Sequence, residues 1–134
     1  MADRVRDAMV VDLPQLSGDD TAQAAGEALA RREVRAVFVC DDGRLVGVVT
    51  RKTLVREIVA AGRDPRTTDL RSVAEEPNYT VASDLPLDEA FHFLEEHDLE
   101  RVPVVEGGRL VGVLSRAVLQ RRLAEDEPPP AEEV

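Results

Sequence analysis

The pentapeptide Arg44-Leu45-Val46-Gly47-Val48 returns letter for letter as Arg109-Leu110-Val111-Gly112-Val113, 65 positions further on. The offset holds without a gap from Val5/Leu70 to Arg56/Arg121, and 15 of those 52 aligned positions are identical. Repetition on this scale outweighs any single motif: the chain is two copies of one unit. With 134 residues in all, each copy has about 60 and is marginal as an independent domain. Each half is therefore expected to bury its apolar face against the other.

Local signals give both copies the same plan. In the first, Val5, Ala8 and Met9 have the spacing of a short amphipathic turn, and Leu70 to Ala74 is its counterpart in the second. Asp20 is read as the cap of a helix starting at Thr21, with Gln23 completing a capping box and Ala24, Ala25, Ala28 and Leu29 as the buried stripe. Strands 36–40 and 45–49 flank Asp42-Gly43, a pair that accepts positive φ and closes a two-residue hairpin. Thr50 caps a helix to about Ala61, with Leu54, Val55, Ile58 and Val59 inward and Gly62 as its stop. The second copy repeats this with strand 79–81, Pro86 at the first helical position, and Leu87, Ala90, Phe91 and Leu94 inward. Hairpin strands 102–105 and 110–114 follow, and then a helix capped by Ser115 and anchored by Val118, Leu119 and Leu123. The expected fold is α/β (α+β): two pseudo-two-fold-related β-α-β-β-α repeats forming one module. Repeat 1 covers 5–62, a linker 63–69, repeat 2 70–124, and an acidic tail 125–134 with nothing to bury is expected to be disordered.

Composition narrows the function. Net charge is −10, and five of the 27 acidic residues lie in the last ten positions. Neither repeat concentrates the basic surface that phosphate-backbone binding needs, so nucleic acid is disfavoured as a partner. A single cysteine, Cys40, excludes an internal disulfide, and no apolar run approaches the roughly 18 residues that span a bilayer. The expectation is a reduced cytoplasmic protein with no membrane association. His92 and His97 are five apart and do not share a helical face as a metal pair requires, and Cys40 is distant in sequence. No nucleophile stands in a recognisable arrangement with a histidine, and Gly107-Gly108 is hairpin chemistry rather than a phosphate loop, so no enzymatic activity is expected.

From 5 to about 124 the chain closely resembles the CBS-domain family, whose tandem pair is also called a Bateman module. The most specific piece runs from Glu96-His97-Asp98-Leu99-Glu100-Arg101-Val102-Pro103-Val104-Val105 to Gly108-Arg109-Leu110-Val111-Gly112-Val113-Leu114-Ser115-Arg116. The resemblance implies a regulatory pair that binds AMP, ADP, ATP or S-adenosylmethionine between its repeats, forms a homodimer through helices, and acts on a regulated protein. The family's ligand pattern is Gly, two apolar residues, Thr or Ser, any two, then Asp. Here it reads Gly47-Val-Val-Thr50-Arg-Lys-Thr53 and Gly112-Val-Leu-Ser115-Arg-Ala-Val118. The ribose-binding carboxylate is absent from both copies; Thr53 retains a hydroxyl and Val118 none. Arg101 stands where the family places a basic residue for phosphate, and the matching residue of the first copy is Ala36, beside Arg35.

The candidate ligand-binding residues are thus Thr50, Arg51, Thr53, Arg101, Ser115 and Arg116. Thr50 and Ser115 serve either as helix caps alone or as caps that also touch ligand. Arg51 and Arg116 sit in first helical turns, where positive charge opposes the macrodipole, which implies a nearby anion or a carboxylate from the other half. Phe93 falls off the inward stripe of its helix and is either partly exposed or a dimer contact. Two functions stand foremost, a nucleotide-binding regulatory module or an interaction module whose ligand sites have degenerated, and binding of a non-nucleotide anion or metal is a third.

Overall fold

The computed structural model describes residues 3–126. The side chain of Leu123 and the tail beyond Asp126 lie outside the described residues, while 125–126 continue the last helix instead of opening the tail. The fold is mixed α+β, with four α-helices and one six-stranded sheet among the described residues. Repeat 1 contributes β1 (Gln15–Leu16), α1 (Ala22–Leu29), β2 (Val37–Asp41), β3 (Arg44–Val49) and α2 (Arg51–Leu54). Repeat 2 contributes β4 (Val81–Ala82), α3 (Leu87–Glu96), β5 (Arg101–Glu106), β6 (Arg109–Ser115) and α4 (Arg116–Asp126). The sheet order is β1-β2-β3-β6-β5-β4, so the two hairpins meet at the centre.

The offset seen in the letters persists in the register. Leu16 pairs with Val39 as Val81 pairs with Val104, and both hairpins shift register at the same place, Val39/Cys40 and Val104/Val105. Asp42 (φ 52°) and Gly43 (φ 80°) form the first hairpin turn, as Gly107 (57°) and Gly108 (83°) form the second. The hairpins join through Arg44 opposite Arg109. Each arginine reaches across the seam to the other hairpin's turn: Arg109 Nη1 donates to the Asp42 carbonyl at 2.9 Å, and Arg44 Nη1 to that of Gly107 at 3.3 Å.

The opening segments are exchanged between repeats. Val5–Asp7 forms one 3₁₀ turn that buries Val5 among Val81, Leu87, Leu94, Val104 and Leu114 of repeat 2. Leu70–Ser72 buries Leu70 among Ala25, Leu29, Val37, Val49 and Ile58 of repeat 1. Behind each turn the chain bridges a strand of the other copy: Val10 with Val113, 2.9 Å in both directions, and Glu75 with Val48 at 2.8 and 2.9 Å. This exchange explains the glycine in the repeated pentapeptide. A Cβ on Gly47 would stand 2.8 Å from Ala74 Cβ and 3.0 Å from the Glu75 carbonyl; one on Gly112 would stand 2.7 Å from Met9 Sδ and 3.0 Å from the Val10 carbonyl. Neither half has a complete core without the other's first residues.

Several sequence expectations shift on inspection. Thr21, not Asp20, caps α1, accepting from the Ala24 N–H at 3.2 Å, because Asp20 is occupied by the Ser17 N–H at 2.8 Å. Gln23 reaches Glu27 instead of closing a capping box. Pro86 is the cap of α3 and not its first residue, and the strand expected at 79–81 forms at Val81–Ala82. Val55 and Val59 do not point inward: they are 58% and 73% exposed. After Leu54 the helix widens into a π turn, Val55–Val59, closed by the Ala60 N–H on the Val55 carbonyl at 2.8 Å. The extra residue per turn puts the buried positions five apart, at Thr53 and Ile58, and rotates both valines to solvent.

Candidate functional site

Two cavities open between the repeats. The larger, about 550 Å³, is bordered by Asp12, Leu13 and Pro14 from the lead-in to β1, Arg31 and Glu33 to Ala36 before β2, and Arg101, Val113 and Ser115 from repeat 2. The smaller, about 330 Å³, is bordered by Val48 and Thr50 at the end of β3, Glu75 to Tyr79 before β4, and Leu99 and Arg101 to Pro103. Shifting the first set by 65 positions largely reproduces the second: Ser115 answers to Thr50, Val113 to Val48, Pro14 to Tyr79 and Val34 to Leu99. Arg35, Ala36, Phe38 and Arg101 border both.

The structure divides the six candidate residues. Thr50 lies at the smaller cavity, Ser115 at the larger and Arg101 at both; Arg51, Thr53 and Arg116 border neither. Thr53 is buried, and its hydroxyl is committed to Thr50: it accepts from the Thr50 N–H at 3.0 Å while Thr50 Oγ1 accepts from the Thr53 N–H at 3.3 Å. The two hydroxyls lie 3.1 Å apart. Ser115 caps weakly, 3.5 Å from the Val118 N–H, so its hydroxyl is the freer of the two.

The two first-turn arginines find different partners, and neither finds a carboxylate from the other half. Arg116 pairs with Glu100 at 2.7 Å and Asp98 at 3.4 Å, both in its own repeat, because the β5–β6 register brings Glu100 beside the start of α4. In repeat 1 the residue matching Glu100 is Arg35, and Glu33, which matches Asp98, pairs with Arg31 at 3.2 Å; Arg51 donates to the Arg31 carbonyl at 2.8 Å. Arg35 and Arg101 are exposed and form no ion pair among the described residues, whereas Arg31 is paired with Glu33 at 3.2 Å and Glu75 with Arg56.

Sequence reasoning missed several lining residues. Asp12, Glu76 and Phe38 carry no pattern of their own and become legible only once the strand register is known. Tyr79 joins an aromatic group outside the α3 stripe, with its ring 5.5 Å from Phe93 and 4.4 Å from His97. That group also accounts for Phe93, which is half-buried against its own chain. The perturbed acids and thiol lie away from both cavities. Burial and then Asp41 push the Cys40 thiol up, and hydrogen bonds from Arg71 and Gly18 hold Asp41 below the usual carboxylate range.

Two interlocked β-α-β-β-α repeats around a shared cleft define a paired regulatory module, and the chain belongs to the CBS-domain family, whose profile matches residues 5–60 and 70–125. It is similar to Hypoxic response protein 1 of Mycobacterium tuberculosis, 33% identical over 121 residues that span 90% of this chain and 85% of that one. It is 28% identical to the CBS domain-containing protein YhcV of Bacillus subtilis over 114 residues, 83% of this chain and 79% of the other. A crystal structure of Hypoxic Response Protein I with two coordinated zinc ions superposes with a TM-score of 0.76 at 31% identity, covering 90% and 98% of the two chains. That of CBSX2 in complex with AMP superposes at 0.74 and 24% identity, covering 91% and 96%, and shows the shared fold. Among the described residues, no three His, Cys, Asp or Glu side chains come together as a metal site. No helix among them is long and apolar enough to cross a membrane.

Proposed function

We propose that this chain is a non-catalytic cytoplasmic sensor that binds an adenosine-type nucleotide, AMP, ADP, ATP or S-adenosylmethionine, in the cleft between its repeats. The observation that carries this reading is Arg101: it borders both cavities and forms no ion pair among the described residues, which leaves its forked donors for a phosphate. Thr50 and Ser115 offer hydroxyls to ribose or phosphate, one at each cavity. Arg51, Thr53 and Arg116 support these turns from behind. The AMP held by the similarly folded CBSX2 is in keeping with this ligand class. The chain acts as a homodimer, for which exposed Val55 and Val59 offer apolar surface, and passes occupancy to a regulated protein. Ligand favours one arrangement of the halves through its differential affinity for the two.

The test is a thermal-shift titration against AMP, ADP, ATP, S-adenosylmethionine and NAD. A ligand that binds only the folded chain stabilises it by about 2.7 kcal/mol at one hundred times its dissociation constant. A saturable rise that Arg101→Ala abolishes supports the sensor. One observation favours a second reading, a CBS-fold interaction module with degenerate sites: the family's ribose carboxylate is replaced by Thr53, already bonded to Thr50, and by Val118. A flat response across the panel from folded protein would establish that reading instead.

A further inference from the structure

The distribution of charge around the two cavities bears on how they share a ligand, and the argument rests on the nucleotide reading above. The cavities are related by the repeat, yet their cations are not. Ala36 matches Arg101, and Arg35 matches Glu100, whose carboxylate is taken by Arg116 at 2.7 Å. A symmetric pair of sites would own one arginine each. Instead one arginine from each repeat stands on the wall common to both cavities, exposed and without an ion pair among the described residues. Beyond these two arginines, the charges there supply no further unpaired cation among the described residues. Arg31 is paired with Glu33, Glu75 with Arg56, and Asp12 and Glu76 are themselves anionic.

A phosphate chain entering from either cavity meets the same two guanidinium groups. Once one polyphosphate is seated, a second would confront the first and the flanking carboxylates with no counter-charge of its own. We propose that Arg35 and Arg101 form a single anion seat serving both cavities, so that a nucleoside polyphosphate in one cavity excludes a second from the other. The two cavities are then alternatives, and two nucleotides compete even when each prefers a different cavity.

Titration calorimetry with ATP on the full chain and on Ala36→Arg tests this, since the variant gives repeat 1 the arginine that repeat 2 has at 101. The wild type takes one ATP per chain. Ala36→Arg takes two, the second within about 10-fold of the first, because coupling that weak no longer excludes. Inorganic tripolyphosphate binds the wild type once and displaces ATP. Arg35→Ala and Arg101→Ala, both at exposed positions, each weaken ATP and tripolyphosphate by about 10-fold or more; they decide the matter if Ala36→Arg fails to fold. Two equivalent ATP sites in the wild type would overturn the shared seat, as would one ATP that tripolyphosphate cannot displace, or a folded Ala36→Arg that still takes one. Tripolyphosphate binding that depends on both arginines, without binding of any nucleotide, would keep the seat and refute the nucleotide reading.

Discussion

The two repeats are alike where they face each other and unlike where they face the cleft. Arg44 and Arg109 each cross the seam to the opposite turn, and Gly47 and Gly112 each admit the opposite lead segment. At the cleft, Arg35-Ala36 stands against Glu100-Arg101, and the Thr50–Thr53 box against a long Ser115 cap. Contacts across the pseudo-two-fold axis are made by equivalent residues of the two copies, so the matched geometry of the seam is kept only while the same letters stand in both. Cleft residues make no such reciprocal contact, so the copies are free to differ there. The repeated pentapeptide is therefore the signature of the joint, and ligand chemistry has to be sought where the copies diverge.

The exchange of lead segments makes the sharpest test of this equivalence. Leu70 is fully buried, and Leu70→Ala is expected to cost about 2–5 kcal/mol, read by urea denaturation. Because its neighbours belong to repeat 1, amide exchange should speed up first in α1 and β2 and not in α3 and β5. Loss of protection confined to repeat 2 would contradict the interlocked core. Next in size is the glycine pair. Gly47→Ala presses a Cβ on Ala74 and on the Glu75 backbone and is expected to cost about 1–3 kcal/mol. Gly112→Ala meets mainly the Met9 thioether, which can swing away, so it should cost less. Equal losses in the two variants would mean that the backbone clash, present at both, decides the outcome.

The caps give a smaller contrast. Thr50→Ala removes a two-way box and is expected to cost about 1 kcal/mol, whereas Ser115→Ala loses a 3.5 Å contact and should cost a few tenths. A larger loss at Ser115 would show that its hydroxyl does more than this geometry records.

How far the sequence reached follows from the same division. The repeat, the hairpin turns and the order of elements were legible because each depends on residues close in the chain, Asp42-Gly43 above all. The exchange of Val5 and Leu70 was not, since an amphipathic turn does not name the core it enters. Val55 and Val59 were misplaced because reading a stripe assumes about 3.6 residues per turn, and the π turn breaks that phase. At the site, Arg101 and the hydroxyls of Thr50 and Ser115 could be found by motif. That Arg101 and Arg35 border the same two cavities could not, because it depends on how two distant strand starts lie together. The first-turn position of Arg116 implies a nearby anion or a carboxylate from the other half, and it is Glu100 of its own repeat, a neighbour across the β5–β6 register, that pairs with it.

The gentlest asymmetry lies on the outer edge. Arg71 ties its lead segment to repeat 1 through Asp19 and Asp41, each at 2.8 Å, and Asp41 also accepts from the Gly18 N–H at 3.0 Å. The matching Arg6 makes no ion pair among the described residues, and Glu106, the counterpart of Asp41, accepts instead from the Ser83 hydroxyl. The Arg71 and Gly18 hydrogen bonds lower the Asp41 pKa, so its folded value lies below its unfolded value of about 3.9. A depressed carboxylate contributes stability that is present above the unfolded pKa and is lost as pH falls through the folded one. Arg71→Gln should therefore be less stable than wild type at neutral pH, by an unchanged margin down to about pH 5, with the margin closing below about pH 4. Added salt should narrow it as well, because the pairs are open to solvent. Arg6→Gln should show no such pH-dependent margin. If both variants track the wild type at every pH, the network is geometry without energy, and the lead segments are held by the burial of Val5 and Leu70 and by their backbone bridges to the other copy.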